Sequence, residues 1–453
     1  MVVANAVRGH WAVENHLHRV RDVLIGMEWR CNGLLLRAVA PRSSRADVFE
    51  ECGIHGYRHN ATMLYIKTDY LHISVTMIER PFWLKRVSEA WLEVPIAWLS
   101  GVRRSGKTTL AQSLGEDQVH YINCDLPAVE EMVRDPVLFY RGIEKPIVVF
   151  DEIHQLADPS RLLKIGADTF PKLKILATGS STLAASKKFK DTLTGRKRQV
   201  HLPPVLLEEL AAFGNVPLQR RLHHGGLPPA LLAPVKSPAF YREWMDSFFA
   251  RDIQRLFAFR DMNKFNALFE YVLRLSGGQF EMTKAATALG ITRPTVESHL
   301  QALEITHAAT LLRPFHGGGQ KELVKMPKVY AFDTGFVSFA RGWEPLRQSD
   351  YGPLWEHVVL EHLAAHFPNQ PLHYWRDKAG HELDFVLVRG RDAVDAIECK
   401  WDPGEFDAGN LRVFRAAYPH GNNYLVSPIS TPAHRRRFGD LEVKVCAPAG
   451  VVG

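Results

Sequence analysis

Two glycines, a lysine and a threonine are spaced along residues 101–108 in the pattern G-x-x-x-x-G-K-T. Gly101 and Gly106 permit a tight turn that points successive backbone N–H groups inward, as the binding of a phosphate requires. Lys107 can then reach the outer phosphates, and the Thr108 hydroxyl can bind Mg²⁺. The pattern predicts a nucleotide site. Its other candidate contacts are Arg104, Ser105 and Thr109.

The segments on both sides must position this loop. Residues 94–99 form a short apolar run, and residues 109–114 have helical composition. Strand, loop and helix is the order in which such a loop encloses a phosphate. An ordinary glycine-containing turn is the alternative interpretation.

A second candidate element is the apolar run at residues 145–154, which contains two adjacent acids. A buried parallel strand would hold Asp151 beside Mg²⁺, while Glu152 could orient the water that attacks the terminal phosphate. Two acids that end a strand by chance are the alternative. The apolar strand and its position after the loop favour the catalytic interpretation.

Hydroxyl and guanidinium groups follow further along the chain. Residues 173–177 predict another buried strand, expected between the two strands already named, with Thr178 or Ser180 as a polar sensor of the phosphate. A solvated turn is the alternative. Arg196 lies in the densest basic region and could stabilise phosphoryl charge as an arginine finger or sensor. A basic run is also typical of a solvated face.

These motifs, with Thr194-Gly-Arg196 and Gly225-Gly-Leu-Pro228, resemble the prokaryotic AAA-type ATPases whose C-terminal half is called domain of unknown function 4143. The resemblance extends from about residue 77 to near the end of the chain. It implies ATP as the nucleotide, and the absence of a guanine-reading N-K-x-D motif agrees. It also implies a nuclease-like fold in the C-terminal half.

Three carboxylates and a lysine in that half have the spacing of the PD-(D/E)XK nucleases, which they resemble. Alternation along a strand places Glu398 and Lys400 on one face. With Glu356 and Asp384, the carboxylates could hold Mg²⁺ while the lysine positions water. A charged strand edge is the alternative interpretation. The candidate metal ligands of the chain are therefore Thr108, Asp151, Glu356, Asp384 and Glu398.

The middle of the chain predicts a helix at 281–290, a turn, and a second helix at 291–303. A glycine-rich turn and a strand follow, which together suggest a winged helix. The second helix would offer candidate contacts to DNA. A rigid spacer between protein parts is the alternative. The candidate contacts are Arg293, Ser298, His299 and Gln301.

The N-terminal 76 residues differ in character from the rest. Residues 4–23 resemble the end of the catalytic domain of DDE transposases of the H-repeat-associated type, with Glu14 at the third acidic position. One carboxylate cannot build a two-metal site. Residues 26–76 support no confident element. The hypothesis is a transposase remnant, and the alternative is an N-terminal extension of another kind.

Chain length, net charge and cysteine content limit the classes to which the protein can belong. The chain has 453 residues, a net charge of +7 and five scattered cysteines without a C-x-x-C pair. This pattern argues against a disulfide framework and a structural zinc site. No apolar stretch is long enough to cross a membrane, and no secretion signal is evident, so we expect a cytoplasmic protein. The positive charge would suit a nucleic-acid partner.

The sequence therefore predicts an α/β fold with an AAA-type parallel sheet, followed by a winged helix and a PD-(D/E)XK-like α/β domain. The expected domains are 1–76, 77–235, 236–330 and 331–453. The predicted function is Mg²⁺-dependent ATP hydrolysis coupled to a module that handles DNA or protein, and the candidate partners include DNA, a protein and further copies of the chain in a homo-oligomer. The alternatives are a nucleotide-gated binding or assembly protein with slow hydrolysis, and a Mg²⁺-dependent nuclease.

Overall fold

The computed structural model describes the backbone of residues 28–31, 34–39 and 72–77. It then describes residues 78–179, 192–257, 259, 261–317, 326–391, 393–429 and 431–452. None of the described helices combines the length and apolar character needed to span a membrane.

A small antiparallel sheet precedes the larger domains. Its strands lie in the order β1-β2-β3. The sequence supports no element between residues 26 and 76, so these strands are an addition to the prediction. Residues 4–23, with Glu14, lie outside the described residues. The three strands are β1 (Glu28–Cys31), β2 (Leu34–Val39) and β3 (His72–Met77).

The next part of the chain alternates strands with helices. All five strands are parallel and lie in the order β5-β6-β7-β4-β8. The inner strands are apolar along their length because helices cover both faces of the sheet. The elements are α1 (Pro81–Glu93), β4 (Ile96–Ser100), α2 (Lys107–Gln112), β5 (Val119–Asn123), α3 (Pro127–Met132), α4 (Pro136–Arg141), β6 (Ile147–Asp151), α5 (Pro159–Thr169), β7 (Lys174–Thr178) and β8 (Lys197–His201).

This strand order confirms two predictions. The fold is α/β with a parallel sheet, and β7 lies between β4 and β6. The carboxyl ends of parallel strands meet at one edge of a sheet. The loop at 101–108, the acids at 151–152 and Thr178 follow those ends, so the topology gathers them at one edge.

A mainly helical region follows and packs around buried aromatic side chains, among them Trp244, Phe248 and Phe265. Its elements are α6 (Leu218–His224), α7 (Pro228–Leu232), α8 (Pro238–Phe248), a π-helical turn (Phe249–Ile253), α9 (Gln254–Phe257), α10 (Met262–Leu275), β9 (Gly278–Gln279), α11 (Met282–Leu289), α12 (Arg293–Ile305), β10 (Ala309–Leu312), β11 (Lys328–Ala331) and α13 (Thr334–Ala340).

Helices α11 and α12 lie where the sequence predicts helix, turn and helix. Gly290 ends α11 in the left-handed region with a φ of 61°, and the Thr292 hydroxyl caps α12 by accepting a hydrogen bond from Thr295 N at 3.3 Å. The name winged helix stays a prediction. The proposed DNA contact of His299 is corrected, because this ring is buried and packs edge-on against Phe259 and Phe265.

The C-terminal domain is a six-stranded mixed sheet in the order β12-β13-β14-β15-β17-β16. Helix α14 packs its buried residues against this sheet, and its N-terminal half also contacts the helical region. The elements are α14 (Gln348–His366), β12 (Leu372–Arg376), β13 (Glu382–Val388), β14 (Val394–Cys399), α15 (Gly409–Ala417), β15 (Asn423–Val426), β16 (His434–Phe438), β17 (Leu441–Cys446) and α16 (Ala449–Val452).

Candidate functional site

The loop at 101–108 needs its glycines for two reasons. Gly101 and Gly106 have φ values of 154° and 95°, which side chains of L-residues rarely permit. A Cβ on Gly101 would also lie 2.3 Å from the carbonyl oxygen of Leu202, a backbone atom that cannot move aside. The turn is therefore specific to glycine at position 101.

Lys107 is the first residue of α2, and its side chain folds back over the loop. Its Nζ donates hydrogen bonds to the carbonyl oxygens of Gly101 at 3.0 Å and Val102 at 3.1 Å. Burial lowers the pKa of Lys107, although the carboxylates of Glu152 and Asp151 oppose this change. The lysine thus lies over the loop in which it is predicted to contact the outer phosphates.

Asp151 ends β6 and is buried, with both carboxylate oxygens bonded to hydroxyl groups. Its Oδ1 accepts a hydrogen bond from Thr178 Oγ1 at 2.5 Å, and its Oδ2 accepts one from the Tyr121 hydroxyl at 2.6 Å. Thr178 Oγ1 also accepts a hydrogen bond from the backbone N–H of Glu152 at 2.9 Å. One threonine hydroxyl therefore joins the two acids.

Glu152 has a backbone conformation that is uncommon for a residue with a side chain, with a φ of 55°. Its carboxylate oxygen lies 3.2 Å from His154 Nδ1. Burial acts to raise the pKa of Glu152, but the hydrogen bond with His154 and the charge of Lys107 prevail and lower it to about 2. Glu152 is consequently ionised at neutral pH.

The structure brings Lys107, Asp151, Glu152 and Thr178 together, as the spacing predicts. Arg104 instead directs its guanidinium to Glu243, with an N–O distance of 2.6 Å. Thr108 and Thr109 lie in the first turn of α2. Ser180 lies outside the described residues.

Arg196 requires a correction. It directly precedes β8 at the amino ends of the parallel strands, where its carbonyl oxygen accepts a hydrogen bond from Ile96 N at 3.1 Å. The five residues of β4 separate that edge from the loop by roughly 16 Å, at about 3.3 Å per residue. Its guanidinium pairs with Asp168 at 2.6 Å. Arg196 therefore does not reach the nucleotide loop of its own chain.

A buried ion pair that sequence reasoning did not identify supports the loop. Arg80 donates hydrogen bonds to both carboxylate oxygens of Glu209, at 2.6 and 2.7 Å, and its third nitrogen donates to Ser105 O at 3.0 Å. A charged, bidentate pair of this kind holds its partners in one geometry. No motif marks Arg80, because its partner lies 129 positions away.

The helical region also contacts the loop. Trp244 Nε1 donates a hydrogen bond to the carbonyl oxygen of Arg103 at 2.9 Å, and the Arg103 guanidinium pairs with Asp252 at 3.1 Å. With the Arg104 pair to Glu243, these contacts attach the loop to α8 and to the π-helical turn that follows it.

Two histidines face each other beside this site from different domains. The rings of His201, at the end of β8, and His307, after α12, have centroids 4.0 Å apart. Burial and then the charge of Lys107 lower the pKa of His307 to about 4. Burial, His307 and Lys107 likewise lower the pKa of His201. Both rings therefore lie within the electrostatic range of Lys107 and are neutral at pH 7.

The C-terminal domain gathers four carboxylates, which we call the acidic cluster: Glu356, Glu382, Asp384 and Glu398. Lys328 of β11 lies between Glu356 at 3.1 Å and Glu382 at 2.7 Å, and Tyr330 donates a hydrogen bond to Glu356. Lys400 lies 3.3 Å from Glu398. The sequence did not identify Lys328, which neutralises part of the cluster from another domain.

The strand register explains why Asp384 and Glu398 meet. Phe385 of β13 is paired with Ile397 of β14 in an antiparallel ladder, so Asp384 and Glu398 are the next opposed positions. Burial and then the charge of Asp384 raise the pKa values of Glu356 and Glu398. The four residues predicted from the nuclease pattern therefore lie in one region.

Three family models match successive segments of the chain. Residues 93–211 match the family model of an AAA domain, residues 216–347 match a domain of unknown function (DUF8612), and residues 351–441 match another (DUF4143). The predicted boundaries at residues 235 and 330 stay predictions.

Two relatives carry the same description, uncharacterized protein. They are Rv2008c of Mycobacterium tuberculosis and Mb2031c of Mycobacterium bovis, and each is 27% identical over 328 residues, which is 70% of this chain and 74% of theirs.

Among solved structures, a RuvB variant of Thermotoga maritima has a TM-score of 0.28 and 17% identity, covering 52% of this chain and 89% of RuvB. The replication initiator DnaA, bound to AMPPCP and single-stranded DNA, has a TM-score of 0.24 and 14% identity, covering 49% of this chain and 86% of DnaA. TM-scores this low establish no common fold. The chain therefore contains a segment similar to AAA domains, within which the parallel sheet lies, and a C-terminal segment similar to DUF4143 domains.

Proposed function

We propose that the chain binds ATP with Mg²⁺ at residues 101–108 and hydrolyses it. One observation carries this proposal: the loop, its lysine and the two acids lie at the same edge of the parallel sheet, and Thr178 joins the acids by hydrogen bonds. A P-loop ATPase needs this combination to hold the phosphates and position water.

The residues present fit a bound nucleotide. Ser105 Oγ is buried and has no hydrogen-bond partner among the described residues, which is uncommon for a buried hydroxyl. Lys107 is held by two neutral carbonyl oxygens, and a phosphate is a stronger partner for an ammonium group. Thr108 and Asp151 would hold Mg²⁺, which supplies charge neutralisation at the phosphates.

Glu152 is the candidate for orienting the attacking water. Its carboxylate stays ionised because His154 and Lys107 hold its pKa at about 2. Its backbone N–H is anchored on Thr178, so the position of the acid is coupled to that of Asp151. These features support hydrolysis rather than binding alone.

The test is steady-state phosphate release from Mg²⁺-ATP by the full chain, compared with Lys107→Ala and Glu152→Gln. We expect Lys107→Ala to lose binding of a fluorescent ATP analogue, and Glu152→Gln to keep binding but lose turnover. Exposed residues of the same types, changed to Lys85→Ala and Glu131→Gln, provide the matched controls. Equal phosphate release from all five proteins would contradict the assignment. Slow release that Glu152→Gln leaves unchanged would favour a nucleotide-gated binding protein.

We propose further that nucleotide binding is coupled to the rest of the chain through the loop. Arg103 and Arg104 connect it to the helical region, and Arg80 connects it to Glu209 beside α14. A shift of the loop on binding would therefore be transmitted to both neighbouring domains. The C-terminal module would be the part that handles DNA or protein.

The acidic cluster favours a second candidate function, Mg²⁺-dependent cleavage of nucleic acid. Asp384 and Glu398 lie opposite each other with Lys400 beside them, as this chemistry requires. Incubation with Mg²⁺ and supercoiled, linear or single-stranded DNA, or RNA, tests it, with Asp384→Asn as the inactive variant. Failure of the wild-type chain to cut any of these, while a control nuclease does, would refute it.

A further inference from the structure

A cluster of three side chains lies apart from the nucleotide loop and the acidic cluster, where the AAA domain meets α14. Glu208 belongs to a short 3₁₀ turn, Leu207–Glu209, that follows β8. His362 and His366 lie on α14, four residues apart and therefore on one face of the helix. The cluster is thus built by two domains.

The geometry of the cluster is that of a potential metal site. His366 Nε2 lies 3.1 Å from each carboxylate oxygen of Glu208, and His362 Nδ1 lies 4.0 Å from one of them. One ligand atom from each residue falls within 4.8 Å of the other two, and no other group of three in the described part of the chain meets this criterion. Ligands about 2.0–2.2 Å from a tetrahedral zinc ion are separated by similar distances.

His362 provides independent evidence. Its side chain is 2% exposed, and neither ring nitrogen makes a hydrogen bond of ordinary geometry among the described residues, although the Pro448 carbonyl oxygen approaches the ring. Buried polar groups nearly always have a partner, so two unsatisfied nitrogens in one ring are unusual. Both the carboxylate of Glu208 and the ring of His366, whose centroid is 4.2 Å away, lie beside it. A cation between them would satisfy one of the two ring nitrogens.

We propose that Glu208, His362 and His366 bind one divalent transition-metal ion of the zinc type, which fastens α14 to the AAA domain. Two imidazoles and one carboxylate suit zinc or cobalt, whereas Mg²⁺ prefers oxygen ligands throughout. The partly exposed Glu208 leaves a path for entry and a fourth position for water. The site is structural and requires no reaction.

The position of the site gives it a consequence for the nucleotide loop. The adjacent residue, Glu209, holds Arg80, and Arg80 donates a hydrogen bond to Ser105 O in the loop. A metal on Glu208 would therefore fix the segment that joins the loop to the C-terminal domain. Metal binding itself does not depend on the proposed ATPase activity, so the two can fail separately.

The experiment is titration of the full, tag-free, metal-stripped chain with Co²⁺ and then Zn²⁺, in excess Mg²⁺ to occupy oxygen sites. We expect one equivalent of Co²⁺ with the visible absorption of a tetrahedral site, displacement by Zn²⁺, and a rise in the denaturation midpoint that depends on metal concentration. Glu208→Gln and His366→Gln should weaken binding more than about tenfold.

His381→Ala is the matched control. His381 also pairs with a carboxylate, Asp377, at 2.7 Å, but among the described residues no third ligand group joins that pair. It should bind Co²⁺ as the wild type does. Circular dichroism and the metal-free denaturation midpoint establish that each variant is folded. No uptake by the wild type would mean an ordinary ion pair and would overturn the proposal, as would equal affinity and absorption in Glu208→Gln and His366→Gln.

Discussion

Substitution of Thr178 by valine isolates the hydroxyl that joins the two acids of the candidate site. Valine nearly preserves the shape of threonine, so the change removes hydrogen bonds without opening a cavity. The hydroxyl is fully buried, donates to Asp151 at 2.5 Å and accepts from Glu152 N at 2.9 Å. Both contacts would be lost together.

The expected magnitude follows from the charge of the acceptor. A hydrogen bond to a charged group contributes about 1.5–3 kcal/mol, and a buried partner left unsatisfied adds to the loss. We therefore expect Thr178→Val to reduce the free energy of unfolding by about 2–3 kcal/mol. If even half of this energy orients Glu152 for hydrolysis, turnover falls about tenfold, since each 1.4 kcal/mol changes a rate tenfold.

Thr178→Ser is the matched control because it keeps the hydroxyl and loses only a methyl group. Denaturant unfolding would measure stability, and phosphate release at saturating ATP would measure turnover. We expect the valine variant to lose kcat with little change in KM, and the serine variant to stay near wild type. Wild-type stability and turnover in Thr178→Val, or equal losses in both variants, would refute the role given to this hydroxyl.

Three further predictions concern other parts of the chain. Gly101→Ala should abolish binding of a fluorescent ATP analogue, because the new Cβ meets the Leu202 carbonyl oxygen at 2.3 Å; wild-type affinity would contradict this. Burial lowers the pKa of His307 from 6.5 to about 4 and that of His357 from 6.5 to about 3. The folded state therefore holds both rings neutral, and this contribution to stability is complete above pH 6.5. It is lost as the pH falls through 6.5 towards 3–4, because the unfolded chain binds protons that the folded chain does not. Denaturation midpoints that stay constant between pH 7.5 and pH 5 would refute this expected pH dependence of stability. Lys328→Met should lower the free energy of unfolding at pH 7 by about 3–5 kcal/mol, because it leaves buried carboxylates without their cation. Denaturant unfolding measures this change, and an unchanged midpoint would show that the lysine is dispensable.

Patterns within short sequence segments predicted much of the candidate site. The loop at 101–108 could be recognised because its function needs fixed residue types at fixed spacing along a continuous segment. Asp151 and Glu152 could be recognised because a buried parallel strand has a continuous apolar pattern and ends where its polar residues act. The same reasoning predicted that β7 lies between β4 and β6, which the sheet confirms.

Contacts between distant segments could not be read in the same way. Arg80 lies 129 positions from Glu209, and Lys328 lies in a different domain from the carboxylates that it neutralises. The basic surroundings of Arg196 indicated a phosphate contact, but the direction of β8 places it at the opposite edge of the sheet. Such errors arise because the type of a residue indicates what chemistry its side chain can perform. It does not indicate which residues surround that side chain in the fold.

The sequence by itself therefore determined the glycine and lysine pattern of the loop at 101–108 and the α/β class, since both depend on patterns within short segments. The tertiary structure alone decided which groups meet across domains. Among these are the buried ion pair behind the loop, the lysine within the acidic cluster, and the meeting of Glu208 with His362 and His366. The physical reason is that packing brings together side chains from segments whose separation along the chain carries no periodic signal.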